Sequence, residues 1–301
     1  MNVTVTGATG LIGTRLVRTL RTRGDGVTVL SRSPEKAQAA LGVDAVAWNP
    51  LAGRAPVEAL RGRGAVVHLA GAPVAQRWND AGRRAIRESR EVGTRNLVAG
   101  MRAAGADGPR TLVSASAVGY YGGHGDEPVP ESAPPGDDFL AGVCVAWERE
   151  ADAAADLGAR VVKIRTGVVL DKSGGALAKM LPPFQMGAGG PVAGGRQYLP
   201  WIHVDDLVGL YLQALDDPSW AGAYNGAAPE PVTNKAFSKA LGRALGRPAI
   251  APVPAFAIRL LYGDMAAIVT EGQRAVPERA LAAGYTYRHA DLDAALADAL
   301  K

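Results

Sequence analysis

The segment Thr6-Gly7-Ala8-Thr9-Gly10-Leu11-Ile12-Gly13 sets three glycines three residues apart. A β-branched run, Val3 to Thr6, precedes it, and an amphipathic run, Leu11 to Arg23, follows it. Strand, glycine turn and helix in that order let backbone N–H groups cradle a pyrophosphate. Gly7 permits the tight turn. Gly10 lets the backbone approach the phosphates, and Gly13 lets helix and strand pack closely. The open N–H groups and positive end of the helix then face the negative charge. Together with Thr9, Leu11 and Ile12, these glycines are expected to bind a dinucleotide. The next strand ends Leu30-Ser31-Arg32-Ser33, with no acid to read a ribose 2′-hydroxyl. Ser31 and Arg32 can donate to a 2′-phosphate instead, which favours NADP(H) over NAD(H).

Other residues suggest a substrate end. Lys179 and Arg196 can hold an anionic group, and Gln197 and His203 can orient a sugar or a carbonyl. Solvent exposure explains the two cations equally well, and a satisfied structural hydrogen bond explains His203. Arg77, Trp78, Ser89 and Arg90 sit beside the cofactor-side loop and the long helix. There Trp78 is either an apolar wall or core packing. Four His and one Cys are scattered without ligand spacing, so no metal site is expected.

These residues need elements to position them. Strand-like runs at residues 3–6, 27–30, 43–48, 65–69, 111–114 and 160–165 alternate with helical patterns at 11–23, 34–41, 79–104 and 138–157. Short apolar strands separated by helices imply a parallel sheet covered on both faces, a doubly wound α/β Rossmann domain. It is expected over residues 1–173. A smaller, less regular α+β lobe follows over 174–301, with segments around 201–225 returning to the first domain. Shorter helices are expected at 205–215, 234–245 and 292–299.

Composition bounds the partners. Hydrophobic residues at 48% and charged residues at 21% argue for a globular fold rather than disorder. A net charge of +4 over 301 residues, without a basic run, gives nucleic acid little hold. No stretch reaches the roughly 18 apolar residues of a membrane span, and no basic leader precedes the first strand. The single cysteine, Cys144, cannot form an intrachain disulfide. The expected compartment is the cytosol. The expected partner is a small-molecule substrate, bound by a monomer or homodimer without nucleic acid or membrane.

The Gly-x-x-Gly-x-x-Gly spacing resembles that of the extended short-chain dehydrogenase/reductase superfamily. Further segments fit in order. His68-Leu69-Ala70-Gly71-Ala72 is similar to the family's fourth-strand turn, and Val92-Gly93-Thr94-Arg95-Asn96-Leu97 to its long helix. Ser114-Ala115-Ser116-Ala117-Val118-Gly119-Tyr120-Tyr121-Gly122 resembles the serine segment of the fifth strand. Arg165-Thr166-Gly167-Val168 resembles the loop after the sixth strand, and Trp201-Ile202-His203-Val204-Asp205-Asp206 a later His-Val-Asp-Asp segment. Tyr120-Tyr121-Gly122, Cys144 with Trp147-Glu148, Lys179 to Phe184 and Gly195 to His203 together resemble the sugar-nucleotide epimerase-like subgroup.

The resemblance implies that Leu69, Ala70, Gly71, Ser114, Arg165, Thr166, Gly167 and Val168 line the cofactor, and that Ser116 orients the substrate oxygen. It also implies a Tyr-x-x-x-Lys pair on the helix before Glu148. Leu140 and Cys144 stand there instead. A phenol ordinarily titrates near pH 10, and a general base works best near the operating pH. Without the lysine the familiar mechanism does not carry over. Three alternatives follow. Tyr120 or Tyr121 supplies the proton; or Cys144 reacts, against its ordinary habit as a buried, inert thiol; or the chain binds cofactor with little turnover, as a redox reader or interaction protein. The expected reaction is hydride transfer at a carbonyl or alcohol carbon, with epimerisation as the family analogy.

Overall fold

A computed structural model describes residues 1–301, the side chain of Leu261 excepted. Five strands come first: β1 (Asn2–Thr6), β2 (Gly26–Ser31), β3 (Asp44–Ala47), β4 (Ala65–His68) and β5 (Thr111–Ala117). Strands Arg160–Thr166 and Gly222–Gly226 complete a seven-stranded sheet. Its order is Gly222–Gly226, Arg160–Thr166, β5, β4, β1, β2, β3, and every pairing is parallel. Such strands need crossovers, and the helices supply them on both faces.

The helices are α1 (Leu11–Thr22), α2 (Pro34–Leu41), α3 (Asp80–Ala104) and α4 (Phe139–Asp152). Then come α5 (Gly175–Gln185), α6 (Val204–Asp216) and α7 (Asn234–Leu245). In α1 the buried positions are Gly13, Leu16, Val17 and Leu20, one stripe at helical spacing. That stripe packs with Val3 and Val5 of β1 and with Val208 and Tyr211 of α6. Burying each such Leu or Val contributes about 1.5–3 kcal/mol. On the opposite face α3 and α4 bury Leu97, Val98, Met101 and Ala151 against Val66 and Leu112. A third core gathers α5, α7 and the helix Leu292–Ala299 around Trp201, Phe237 and Leu296.

The structure moves some expected boundaries. β5 runs on to Ala117, so Ser116 lies inside the strand rather than after it. The fourth helix stops at Asp152, and Ala155–Leu157 is a separate 3-10 turn. Strand Trp201–His203 pairs with Val168–Leu170 outside the large sheet, whereas Gly222–Gly226 pairs with Arg160–Thr166 inside it.

A buried relay ties β1 to β4. Thr6 Oγ1 accepts from the Leu69 and Ala70 N–H groups, both at 3.2 Å. Its own proton therefore turns to His68 Nδ1, 2.7 Å away. His68 Nε2 then carries the hydrogen and donates to Thr94 Oγ1 at 3.1 Å. Burial, with the Arg90 charge adding to it, lowers the His68 pKa to about 4.

In an unfolded chain this histidine titrates near 6.5. Below that pH the unfolded state takes up a proton that the native state refuses. Stability contributed by neutral His68 is thus present above pH 6.5 and lost progressively as pH falls to about 4. The expected loss is about 3 kcal/mol. Urea unfolding at stepped pH checks it. His68→Asn should flatten the slope across this window, and an unchanged slope would contradict the assignment.

Candidate active site

The glycine turn has the geometry of a phosphate cradle. Gly7 has φ +68°, a left-handed conformation that favours glycine. A Cβ on Gly7 would stand 2.6 Å from the Leu69 carbonyl carbon. One on Gly13 would stand 2.4 Å from the Gly7 oxygen. Backbone thus fills the space a side chain would need. Gly10 caps α1 without any side chain, whereas Asn79 caps α3 and Asp138 caps α4 through their side-chain oxygens. The first N–H groups of α1 are therefore open to an anion. Thr9 is exposed on the loop, and Leu11 packs against Gly174 and Gly175 at the start of α5.

Ser31 ends β2, where its Oγ accepts from the Ser33 N–H at 3.1 Å. Arg32 is exposed and makes no ion pair or side-chain hydrogen bond among the described residues. Leu69, Ala70 and Gly71 follow β4, and the Leu69–Ala70 peptide touches the turn at Gly7.

The serine turn belongs to a buried polar network. Side chains alternate along β5, and Leu112, Ser114 and Ser116 share the face covered by α3 and α4. Ser114 is fully buried, and its Oγ donates to the Ala115 carbonyl. Ser116 is also buried, and its Oγ donates to Glu148 Oε1 at 2.6 Å. Arg165 holds Glu148 with two parallel bonds, Nε to Oε1 and Nη2 to Oε2, both 2.8 Å. Its Nη1 donates to the Tyr121 hydroxyl at 2.9 Å and to the Glu131 carbonyl at 3.1 Å. Tyr121 is 0% exposed, and its hydroxyl donates to Asn225 Oδ1 at 2.7 Å. Burial outweighs the nearby Arg165 and pushes the Tyr121 pKa up to about 12. Ser116, Tyr121 and Arg165 therefore form a packed scaffold. Their polar atoms bond to one another and to Glu148 in this arrangement.

Tyr120 differs. It is half-buried, makes no side-chain hydrogen bond among the described residues, and carries the Arg165 guanidinium 3.5 Å from its ring centre. The preceding Gly119 packs toward Leu140, whose Cβ would lie 3.5 Å from an added Cβ. The Tyr120 turn thus abuts the position that the resemblance gives to the acid–base tyrosine. Cys144 is 4% exposed, and burial raises its thiol to about 12. It is a packing residue, as the inert reading holds. In the loop after strand Arg160–Thr166, Gly167 is confined by the Pro200 carbonyl, 2.1 Å from where a Cβ would sit. Thr166 Oγ1 donates to Ile164, and Val168 starts the short strand beside Trp201.

A cavity of about 560 Å³ opens at the amino end of α4. Trp78 and Phe139 meet edge to face at 5.3 Å, and the Arg83 guanidinium lies 4.8 Å from the Phe139 ring centre. Arg259 and Glu271 close it from the C-terminal lobe. Trp78 fits its wall reading; sequence spacing missed Arg83, Phe139, Arg259 and Glu271. None of the four expected substrate residues lines this cavity. Lys179 Nζ donates to the Ala75 carbonyl at 3.3 Å, and Gln197 Nε2 to the carbonyls of Val192 and Val269. Arg196 is exposed. His203 is buried, and its Nδ1 accepts from the Asp205 N–H to cap α6.

The fold also gathers His203, Asp205, His289 and Asp298, whose ligand-type atoms lie within 4.8 Å of one another. Linear spacing could not show this. Both acids already hold cations, Arg15 at 2.7 Å from Asp205 and Lys301 at 2.9 Å from Asp298. Capping α6 also places the His203 proton on Nε2, so the cluster reads as a clasp for the C-terminal helix.

Removing one partner of a buried pair leaves the other charge uncompensated. Glu148→Gln should therefore cost about 3–5 kcal/mol of stability. Ser116→Ala, which loses one hydrogen bond, should cost about 1 kcal/mol. Urea midpoints separate the two, and equal small losses would contradict a charge-centred scaffold.

Comparison with known proteins places this geometry in a family. The profile of the NAD dependent epimerase/dehydratase family matches residues 3–225, and a domain of unknown function, DUF1731, matches 253–299. The chloroplastic epimerase family protein SDR39U1 homolog of Arabidopsis thaliana is 43% identical, over 96% of this chain and 84% of the relative. The crystal structure of the human epimerase family protein SDR39U1, solved with NADPH, superposes with a TM-score of 0.88 at 36% identity, covering 99% of this chain and 98% of that one. The nucleoside-diphosphate sugar epimerase of Corynebacterium glutamicum superposes at 0.80 with 34% identity, covering 100% of this chain and 58% of that one. By its sheet order, its glycine turn, the family match over residues 3–225 and these likenesses, the chain belongs to the NAD dependent epimerase/dehydratase family.

Proposed function

We propose that the protein binds NADP(H) across the carboxyl ends of β1, β2 and β4 and acts as an oxidoreductase or epimerase on a small carbonyl or alcohol. The uncapped start of α1 carries this reading, because its first N–H groups have no side-chain partner and are open to a pyrophosphate. The free Arg32 guanidinium at the tip of β2 adds the charge for a 2′-phosphate. The human relative solved with NADPH supports the same choice of cofactor.

Bound cofactor supplies the hydride. The chain's own residues supply placement and a proton. Tyr120 is the candidate acid or base, because its hydroxyl has no protein partner among the described residues. The aromatic walls of the cavity, Trp78 and Phe139, favour a planar substrate, including one linked to a nucleotide; its two arginines are balanced by Asp264, which holds Arg83 at 2.6 Å, and Glu271. A small-molecule partner, without nucleic acid, remains the reading. The cytosol is the proposed compartment, supported by the single free cysteine. Among the described residues no helix is long and apolar enough to cross a membrane.

A second reading has its own observation. Ser116, Tyr121 and Arg165 are locked into the scaffold, and Leu140 and Cys144 replace the acid–base pair. Little chemistry would then remain, and the chain would report cofactor state to a partner.

Two measurements decide. Arg32→Glu should weaken NADPH at least about tenfold while barely changing NADH, read by fluorescence titration. Equal losses would remove the 2′-phosphate role. Tyr120→Phe should keep NADPH affinity and lower turnover about a hundredfold or more on any carbonyl or nucleotide sugar that the wild type converts. Unimpaired turnover would remove Tyr120, and no NADPH oxidation by wild type across the panel would favour the second reading.

A further inference from the structure

Arg90 is half-buried in the middle of α3 and has no carboxylate partner among the described residues. Its Nη1 donates to the carbonyls of Ala72 and Ile86, both at 3.1 Å. Those bonds fix the guanidinium while leaving Nε and Nη2 without a protein acceptor. The group lies flat beneath Gly71, where an added Cβ would meet Cζ and Nη2 at 3.3 Å. On its other side the Trp147 ring centre is 5.0 Å away. Its charge reaches both His68 at the end of β4 and Cys144 on α4. Neither is an anion that could pair with it.

Burying an arginine without a counter-charge is costly, and a fold keeps one where something else completes it. The sheet order says what that is. An adenosine half read at the tip of β2 and a pyrophosphate at the start of α1 leave one direction for the rest of a dinucleotide. That direction runs away from β2, over the ends of β4 and β5. Gly71 follows β4, and Cys144 lies beside Ala117 at the end of β5. Arg90 stands between them.

We propose that Arg90 binds the nicotinamide half of NADP(H), its free N–H groups donating to ribose hydroxyl or carboxamide oxygens. It thereby brings from α3 the positive charge that Cys144 does not provide from α4. This assignment rests on the NADP(H) reading above and adds a residue to it. Arg90 is then a cofactor-binding residue, and Gly71 is small so that the guanidinium can reach the crevice.

Two probes separate the halves of the cofactor. Whole NADPH engages both Arg32 and Arg90, whereas 2′,5′-ADP carries the adenosine and 2′-phosphate but no nicotinamide. Arg90→Met should raise the Kd of NADPH about tenfold and leave that of 2′,5′-ADP unchanged. Arg90→Lys should recover much of the loss, and Arg32→Glu should weaken both probes. Retained 2′,5′-ADP affinity shows that the Met variant is folded. Unchanged NADPH affinity in Arg90→Met, or equal weakening of both probes, would overturn the assignment while leaving the cofactor reading in place. Wild type that binds neither probe would overturn both.

Discussion

The candidate site is organised around one buried ion pair. Arg165 and Glu148 are each more than nine-tenths buried, and their two parallel hydrogen bonds join strand Arg160–Thr166 to α4. Two charges taken out of water are tolerated only when every remaining donor and acceptor is answered. That requirement recruits the neighbours. Ser116 satisfies one carboxylate oxygen, while the Tyr121 hydroxyl and Glu131 carbonyl take the third guanidinium nitrogen. Asn225 then accepts from Tyr121 and reaches the carbonyls of Val129 and Val276. Glu131 in turn accepts from the backbone of Asn225 and Arg279. A single pair thus dictates where the serine turn, the edge strand and the C-terminal lobe meet.

The scaffold leaves the crevice itself sparsely furnished. α3 and α4 begin with side-chain caps, and α1 does not. α2 and α5 also begin without a side-chain hydrogen bond, but α1 begins at the glycine turn, where the positive end of its dipole is open to an outside anion. Arg32 and Arg90 repeat the pattern as cations without counter-charges among the described residues, one beyond β2 and the other beneath the turn after β4, with β1 between those strands.

Local features were the legible ones. The strands, the glycine turn and helices such as Asn234–Leu245 follow from period and spacing over a few residues. Spacing singles out Ser116, Tyr121 and Arg165 as polar residues of separate segments, but it does not show that Glu148 joins them in one buried network. Alternation along β5 puts Ser114 and Ser116 on one face, but a single sequence does not say which face opens to the crevice. The cavity was less legible still. Arg259 and Glu271 lie far along the chain from Trp78 and Phe139, and only the packing of the C-terminal lobe joins them. The histidine cluster was hidden for the same reason.

The strand Gly222–Gly226 pairs with Arg160–Thr166, yet α5, α6 and the short strands lie between the two in the chain. During synthesis the sheet must wait with an unpaired edge until this last strand leaves the ribosome. An open edge of that kind templates association with other chains. Asn225 rides on the same strand, so the hydroxyl of Tyr121 also lacks its acceptor until then. A piece ending before residue 222 would hold the whole glycine cradle and still present a sticky edge and an unfinished polar core. In this chain, closing the sheet and satisfying the site are one event.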